Sequence, residues 1–410
     1  MLIAGIHSEF SKLKTVLLHG PGPEVENMTP ATAERALYSD ILNLPIAQLE
    51  YAQFRGVLKK VSEVFEVKPM LCSILEKDET RSELLVQLEK FSVCPGLSEE
   101  LSGLSVSRLT NVLIEGILLP QNSLTNFLQQ NKYSINPLHN MFFMRDASFC
   151  IGNTIFISSM ARSVRKPETI ILEAVYRHLL DNNSRLVYLN KLAGSKFSIE
   201  GGDILVVSPE VLIIGIGSRT TPEAVDYLIG QVSAIQPLNY VIVQELPLEP
   251  ESFIHLDMVF TLLSESECMV YKPLLESEWH YHTILMKIEN GVVRKISYVE
   301  NIMEGLKKCR FGFEPVFCGN GDPMSQEREQ WHSGANFFAF SPGHIIGYAR
   351  NMHTTNALNK IGYEIIKAND VISGTASPAN YKKCLVTIEG SELARGGGGP
   401  RCMTMPLLRD

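Results

Sequence analysis

The sequence predicts an α/β fold assembled from one repeated unit, a β-hairpin followed by a helix, present about five times in 410 residues. Three observations carry this expectation. Four stretches share one layout: an acidic or amide residue, a short apolar strand, a turn, a second strand and a polar exit. Amphipathic segments follow at least three of them. One segment, residues 72–135, differs in character and interrupts the pattern.

Taken in chain order, "SKLKTVLLHGPGP" and the helix-like "PIAQLEYAQFRGVLKKVSEV" supply part of one unit, which the C-terminal "KKCLVTIEG" is expected to complete. Residues 72–135, polar and rich in Leu, Ser, Glu and Gln, are expected to be helical. The hairpins are "DASFCIGNTIFISSMAR" from Asp146, "DILVVSPEVLIIGIGSRT" from Asp203, "DMVFTLLSESECMVYKP" from Asp257 and "NFFAFSPGHIIGYARN" from Asn336. Turn residues such as Gly152-Asn153 and Ser341-Pro342-Gly343, set between β-branched and aromatic runs, are the hairpin signal. "PETIILEAVYRHLL", "TPEAVDYLIGQV" and "TTNALNKIGYEIIK" place apolar residues at helical spacing. Thr220-Thr221-Pro222-Glu223 marks a helix start, a capping residue before a proline. Units that cannot bury their faces alone must stack, and a ring of them brings equivalent strand ends to a central channel. Asp146, Asp203 and Asp257 then point toward one axis.

Composition narrows the function. Hydrophobic residues make up 45% and charged residues 20%, as in ordinary globular chains. A formal net charge of −8, with no block of like charges, argues against non-specific nucleic-acid binding. The N-terminus lacks the basic region of a signal peptide, and no apolar run reaches about 18 residues. A cytoplasmic protein without membrane contact is expected. Its eight cysteines include no CxxC pair, so they read as reduced thiols, mostly small core hydrophobes.

Polar groups concentrate at the hairpin starts. "IEGGD" sets Glu200 and Asp203 on either side of two glycines. "HLD" sets His255 and Asp257 two apart, on one face if extended. "NMFFMRD" holds Asn140, Phe143, Arg145 and Asp146. Each alone is ordinary, since an Asp before a hairpin is usually a turn or cap residue. Together they imply converging carboxylates, which repel unless a cation neutralises them. That cation could be a metal held by His255, Asp257, Glu200 and Asp203, or a cationic substrate. A metal leaves "GGGGPRC", residues 396–402, unexplained. A guanidinium explains both, because paired N–H donors fit a carboxylate and a thiolate can attack the central carbon.

The chain resembles the arginine deiminase family of guanidine-modifying enzymes. The resemblance runs almost end to end, through "IHSEFSKLKTVLLHGPGPEVENMTP", "LYSDILNLPIAQLEYAQF", "NMFFMRD", "RKPET", "IEGGD", "GSRTTPEA", "HLDMVFT", "REQWHSGAN", "YARN" and "GGGGPRCMTMPL". It implies a five-bladed α/β propeller, with catalytic residues 1–71 and 136–410 and a helical insertion at 72–135. It implies Cys402 as nucleophile, Asp146 and Asp257 as guanidinium carboxylates, His255 as general acid/base and Glu200 as its support. Asn140, Arg165 and Arg219 match groups that hold the substrate's α-carboxylate. Phe143 matches an apolar wall, Asp203 and Gly396 match outer contacts, and Leu37 matches more loosely. The implied reaction is hydrolysis of L-arginine to L-citrulline and ammonia through a thiouronium on the cysteine, with neither metal nor organic cofactor.

Departures bear on the substrate. Gly397 stands where many family members carry an arginine, Met144 replaces a usual threonine, and Gly20 replaces a commonly charged residue. An amidinotransferase, a citrulline hydrolase, a metallohydrolase and a silent binding protein are the competing readings. Homo-oligomerisation is left open.

Overall fold

The computed structural model describes residues 1–28, 33, 38, 40–92, 96–192, 197–276 and 281–410. Leu37 and Cys94 lie outside these residues. Within them the α/β repeat is present in five sheets, each built on an antiparallel pair with a further strand lying parallel to one member.

In the first sheet, Ser148–Ile151 and Thr154–Ile157 form the hairpin, helix Lys166–Leu179 crosses over, and Arg185–Tyr188 returns parallel to Thr154–Ile157. Gly152 makes the turn at φ 56, in the left-handed region that glycine enters without steric cost. The second sheet repeats the scheme with Ile204–Ser208, Val211–Ile216, helix Pro222–Ser233 and Tyr240–Glu245. The third uses Phe260–Leu262, Glu267–Val270, helix Ile302–Lys308 and Glu314–Phe317. The hairpin strands read as apolar runs because both their faces are covered, whereas the returning strands Arg185–Tyr188 and Glu314–Phe317 are partly exposed.

Three features depart from the expectation. The helix expected over "TTNALNKIGYEIIK" ends at Lys360, and Glu364–Lys367 forms a strand, as its Ile365-Ile366 pair suits. Strand Cys384–Ile388, the "CLVTI" expected to complete the N-terminal unit, lies inside the fourth sheet between His344–Tyr348 and Glu364–Lys367, parallel to both. All five of its residues are buried, which suits a central strand and not a closing edge. The N-terminal unit is closed instead by Met405–Arg409, antiparallel to Leu13–Leu18, with Glu63–Glu66 parallel on the other side after helix Leu44–Val61. The two ends of the chain therefore share one sheet. The second sheet also carries an additional hairpin, Thr283–Glu289 with Val292–Val299. Its signal was present: Asn290 and Gly291, both at positive φ, form the turn between two β-rich runs.

Segment 72–135 is largely helical, with Asp78–Glu89, Leu97–Ser102, Val106–Glu115 and Leu124–Leu128, plus a small antiparallel pair, Ile117–Leu118 with Tyr133–Ile135. Leu84, Leu88, Leu109 and Leu113 join the core that holds Ile151 and Phe156 of the first sheet. Among the described residues no helix is long and apolar enough to cross a membrane.

Candidate active site

Five residues stand one to three positions before the first strand of the five antiparallel pairs. They are Asp146, Asp203, Asp257, Asn336 and Cys402, preceding strands that begin at Ser148, Ile204, Phe260, Phe338 and Met405. Cys402 thus occupies in the fifth sheet the place the aspartates occupy in the first three. Tight turns hold these positions: the one-turn helix Met144–Ala147 and the 3-10 turns Gly201–Asp203 and Leu256–Met258.

The side chains meet in a buried cluster. Cys402 is 4% exposed. Its Sγ lies 3.7 and 3.8 Å from the two carboxylate oxygens of Asp257 and accepts a hydrogen bond from Asn336 Nδ2 at 3.2 Å. His255 Nε2 is 2.8 Å from Glu200 Oε2, and Nδ1 is 3.6 Å from Asp146 Oδ1. The second oxygen of Glu200 accepts from the Ala161 amide at 3.0 Å and lies 4.0 Å from Arg219 Nη1.

The glycines permit this convergence. A Cβ on Gly202 would stand 2.6 Å from the His255 ring and 2.9 Å from Asp146 Oδ1, and one on Gly201 would stand 2.1 Å from the Arg145 carbonyl. "EGGD" is the sequence that lets Glu200 pass beneath the histidine. A Cβ on Gly398 would come within 2.3 Å of the Phe143 ring, and one on Gly399 within 2.6 Å of Asn336 Oδ1. At Gly397 nothing lies within 4 Å, but φ is 83. An arginine there is opposed by backbone geometry and not by space.

Each of the two central aspartates already receives a guanidinium from the chain. Arg165 Nη1 donates to Asp146 Oδ2 at 2.5 Å, while its other donors reach Glu168 and the carbonyls of Asn140 and Phe143. Arg401 Nη1 donates to Asp257 Oδ2 at 2.7 Å, and its Nε and Nη2 each reach Glu9 at 3.0 Å. Asp203 accepts from the Leu256 amide at 2.9 Å, which fixes the backbone between His255 and Asp257.

Burial and charge set the protonation states. Burial pushes the Cys402 thiol well up, and Asp257 and Asp146 push it further. The neighbouring charge of Arg401 does not reverse this, being neutralised by Glu9 and Asp257. Burial alone would lower His255, yet Asp146 and the hydrogen bond to Glu200 outweigh it and lift the imidazole to about 9. Glu200, which burial would raise, is held down at about 2 by the hydrogen bond to His255 and by Arg219. Burial lifts Asp203 to about 7. The resting state at neutral pH pairs an imidazolium with a thiol. Among the described residues, no group of three or more His, Cys, Asp or Glu is arranged to hold a metal ion.

Of the residues singled out from sequence, Cys402, Asp257, Asp146, His255 and Glu200 come together, with Arg219 against Glu200 and Phe143 under Gly396 and Gly398. Asn140 contributes its carbonyl to Arg165. Leu37 is not among the described residues. Sequence reasoning missed Asn336, Glu9 and Glu168. Asn336 had a signal, its place at the head of the fourth hairpin. Glu9 had none, because its partner Arg401 lies 392 residues away.

Comparison with known proteins places the chain in a family. A family model described as "Arginine deiminase" matches residues 34–409. The chain is 31% identical to an arginine deiminase of Limosilactobacillus reuteri over 427 residues, covering 99% of this chain and 98% of that one. It is 29% identical to an arginine deiminase of Oenococcus oeni over 423 residues, covering 99% and 97%. Among solved structures, it is similar in fold to the N-terminal domain of ArgZ bound to product, an arginine dihydrolase from cyanobacteria, with a TM-score of 0.54 at 13% identity, covering 96% of this chain and 97% of that one. DDAH from Pseudomonas aeruginosa complexed with citrulline is similar with a TM-score of 0.51 at 13% identity, covering 96% and 99%.

Proposed function

The chain belongs to the arginine deiminase family, and from that premise we propose that it hydrolyses L-arginine to L-citrulline and ammonia through a covalent thiouronium on Cys402. One observation carries this reading furthest. The cluster contains a buried acceptor without a hydrogen bond, Asp146 Oδ1, and a buried donor without one, Arg219 Nε. A zwitterionic amino acid with a guanidinium head and a carboxylate tail is complementary to both. The internal arginines occupy Oδ2 of each aspartate; Oδ1 of Asp146 is left facing His255, while both oxygens of Asp257 face the sulfur, Oδ2 at 3.7 Å and Oδ1 at 3.8 Å.

In this reading Asp146 and Asp257 hold the substrate guanidinium flat, its positive charge stabilises the Cys402 thiolate as the S–H proton passes to water, and the thiolate attacks the guanidinium carbon. His255 enters as the imidazolium and protonates the departing nitrogen, and ammonia leaves. The neutral imidazole, supported by Glu200, then takes a proton from water. Hydroxide adds to the thiouronium carbon, the C–S bond breaks, and citrulline is released. Arg219 is the carboxylate partner, with Asn140 and Arg165 beside it. Phe143 is the apolar wall, and Asp203 and Gly396 are outer contacts. No metal or organic cofactor has a role.

The same reading extends to the architecture. We infer a five-bladed α/β propeller, catalytic over 1–71 and 136–410, with 72–135 inserted. The convergence of the five strand-leading residues and the shared sheet of the chain ends support it. The described cysteines are all free, in keeping with a cytoplasmic setting.

Purified protein with Cys402 reduced is expected to release equimolar citrulline and ammonia from arginine, and Cys402→Ser is expected to lose this by at least about a thousandfold. Absence of both products with the parent protein contradicts the proposal.

A further inference from the structure

We propose that Asn336 is a further catalytic residue, whose carboxamide holds the Cys402 sulfur and stabilises its ionised form. The proposal rests on the thiol chemistry above and deepens it.

The amide's orientation is fixed by its partners. Asn336 Oδ1 faces two donors, the backbone N–H groups of Arg401 at 2.9 Å and Cys402 at 3.3 Å. Nδ2 faces two acceptors, the Asp257 carbonyl at 2.9 Å and Cys402 Sγ at 3.2 Å. Flipping the amide would set oxygen against oxygen and N–H against N–H, so the group beside the sulfur is a donor. Asn336 is 1% exposed, so water does not compete for these bonds.

Its place in the repeat explains its chemistry. Asn336 heads the fourth hairpin as Asp146, Asp203 and Asp257 head the first three. A carboxylate here would be a third anion at the sulfur, beside Asp257 and Asp146. The neutral amide keeps the repeat's position while donating instead of repelling. Asp257, Asp146, Arg401 and Tyr348 are the charged or titratable groups that act on the thiol. Asn336 is the side chain that donates to it. No proton moves to or from the amide. The N–H strengthens its bond when the S–H proton departs, and relaxes when the C–S bond forms and sulfur loses its charge.

Two variants test this in the full chain. Asn336→Ala removes the donor and both accepted bonds. Asn336→Asp keeps an acceptor for the two backbone N–H groups while exchanging the donor for an anion, so an unchanged midpoint in it overturns the proposal even if the alanine variant, which isolates the donor, does not fold. The pH dependence of iodoacetamide labelling, followed on the Cys402 peptide by mass spectrometry, reports the thiol without any substrate. The midpoint is expected to rise by about one pH unit or more in either variant, equivalent to about tenfold less thiolate at a given pH. Arginine turnover is expected to show a kcat reduced about tenfold and an alkaline-shifted profile, with KM within about twofold. An unchanged labelling midpoint in a folded variant overturns the proposal. Because labelling needs no arginine, a parent protein that turns over no arginine counts against the proposed reaction and leaves this test standing.

Discussion

At the residue scale, the site is defined by which charges are matched and where. His255 and Glu9 make the consequence measurable, since their shifts have opposite sign. His255 rises from 6.5 to about 9 on folding, so its stabilisation is fully present below pH 6.5 and disappears as pH climbs through about 9. Glu9 would be raised by burial, but Arg401 and Arg145 bring it from 4.5 to about 2, so its stabilisation is present above pH 4.5 and lost as pH falls through about 2. Urea midpoints measured across pH should be highest at about pH 4 to 5, decline as Asp203, raised from 3.8 to about 7, is forced to ionise, and decline further above pH 6.5 as His255 deprotonates. Replacing His255 with glutamine should flatten that alkaline decline. A parent profile that is level from pH 6.5 to 9 would show that the imidazole is not held as a cation.

At the scale of elements, the loop bearing Cys402 is shaped by glycines with different duties. Gly398 lies against Phe143, whereas Gly397 touches nothing and only bends the chain. Gly398→Ala should therefore displace Phe143 or Cys402 and lower kcat/KM by about a hundredfold, the usual consequence of misplacing reacting groups by about an ångström. Gly397→Ala should cost only about 1 kcal/mol of stability from its positive φ. Equal losses in the two variants would refute this division. The same scale shows what was legible in the sequence. The four hairpins and two of the three helices were readable because turn residues and apolar spacing are local signals; in "TTNALNKIGYEIIK" the helix ends at Lys360 and the β-branched run after Gly362 is a strand. The misplacement of "CLVTI" was not avoidable on those terms, because strand order within a parallel sheet depends on contacts far apart in sequence. That error also hid the equivalence of Cys402 with the aspartates, although "MPLLR" directly after it was the closing strand. The Asn290-Gly291 hairpin was readable and was overlooked.

At the scale of the whole molecule, the two ends of the chain hold the site together. Leu13–Leu18 pairs with Met405–Arg409, and the buried Glu9–Arg401 pair ties the N-terminal segment to the residue beside Cys402. Glu9→Gln leaves Arg401 short of a buried counter-charge and should cost about 3–5 kcal/mol, read from denaturant unfolding. A loss below about 1 kcal/mol would mean that Asp257 alone satisfies Arg401. Cys402, His255, Asp146, Asp257 and Glu200 are all nearly inaccessible, while a cavity of about 390 Å³ lies nearby, lined by Ala161, Lys166, Ser198, Ser218 and Thr221. Substrate entry therefore requires an element to move, and the glycine run before Cys402 is the segment whose composition allows it.

All of these scales meet in one claim, that the sulfur of Cys402 bonds to the carbon of a bound guanidinium. Protein quenched in acid during turnover of arginine, digested and weighed, tests it directly. The peptide bearing Cys402 is expected to gain the mass of arginine less ammonia, and Cys402→Ser should carry no such adduct. Product formed at full rate with that peptide unmodified at every quench time would contradict the account.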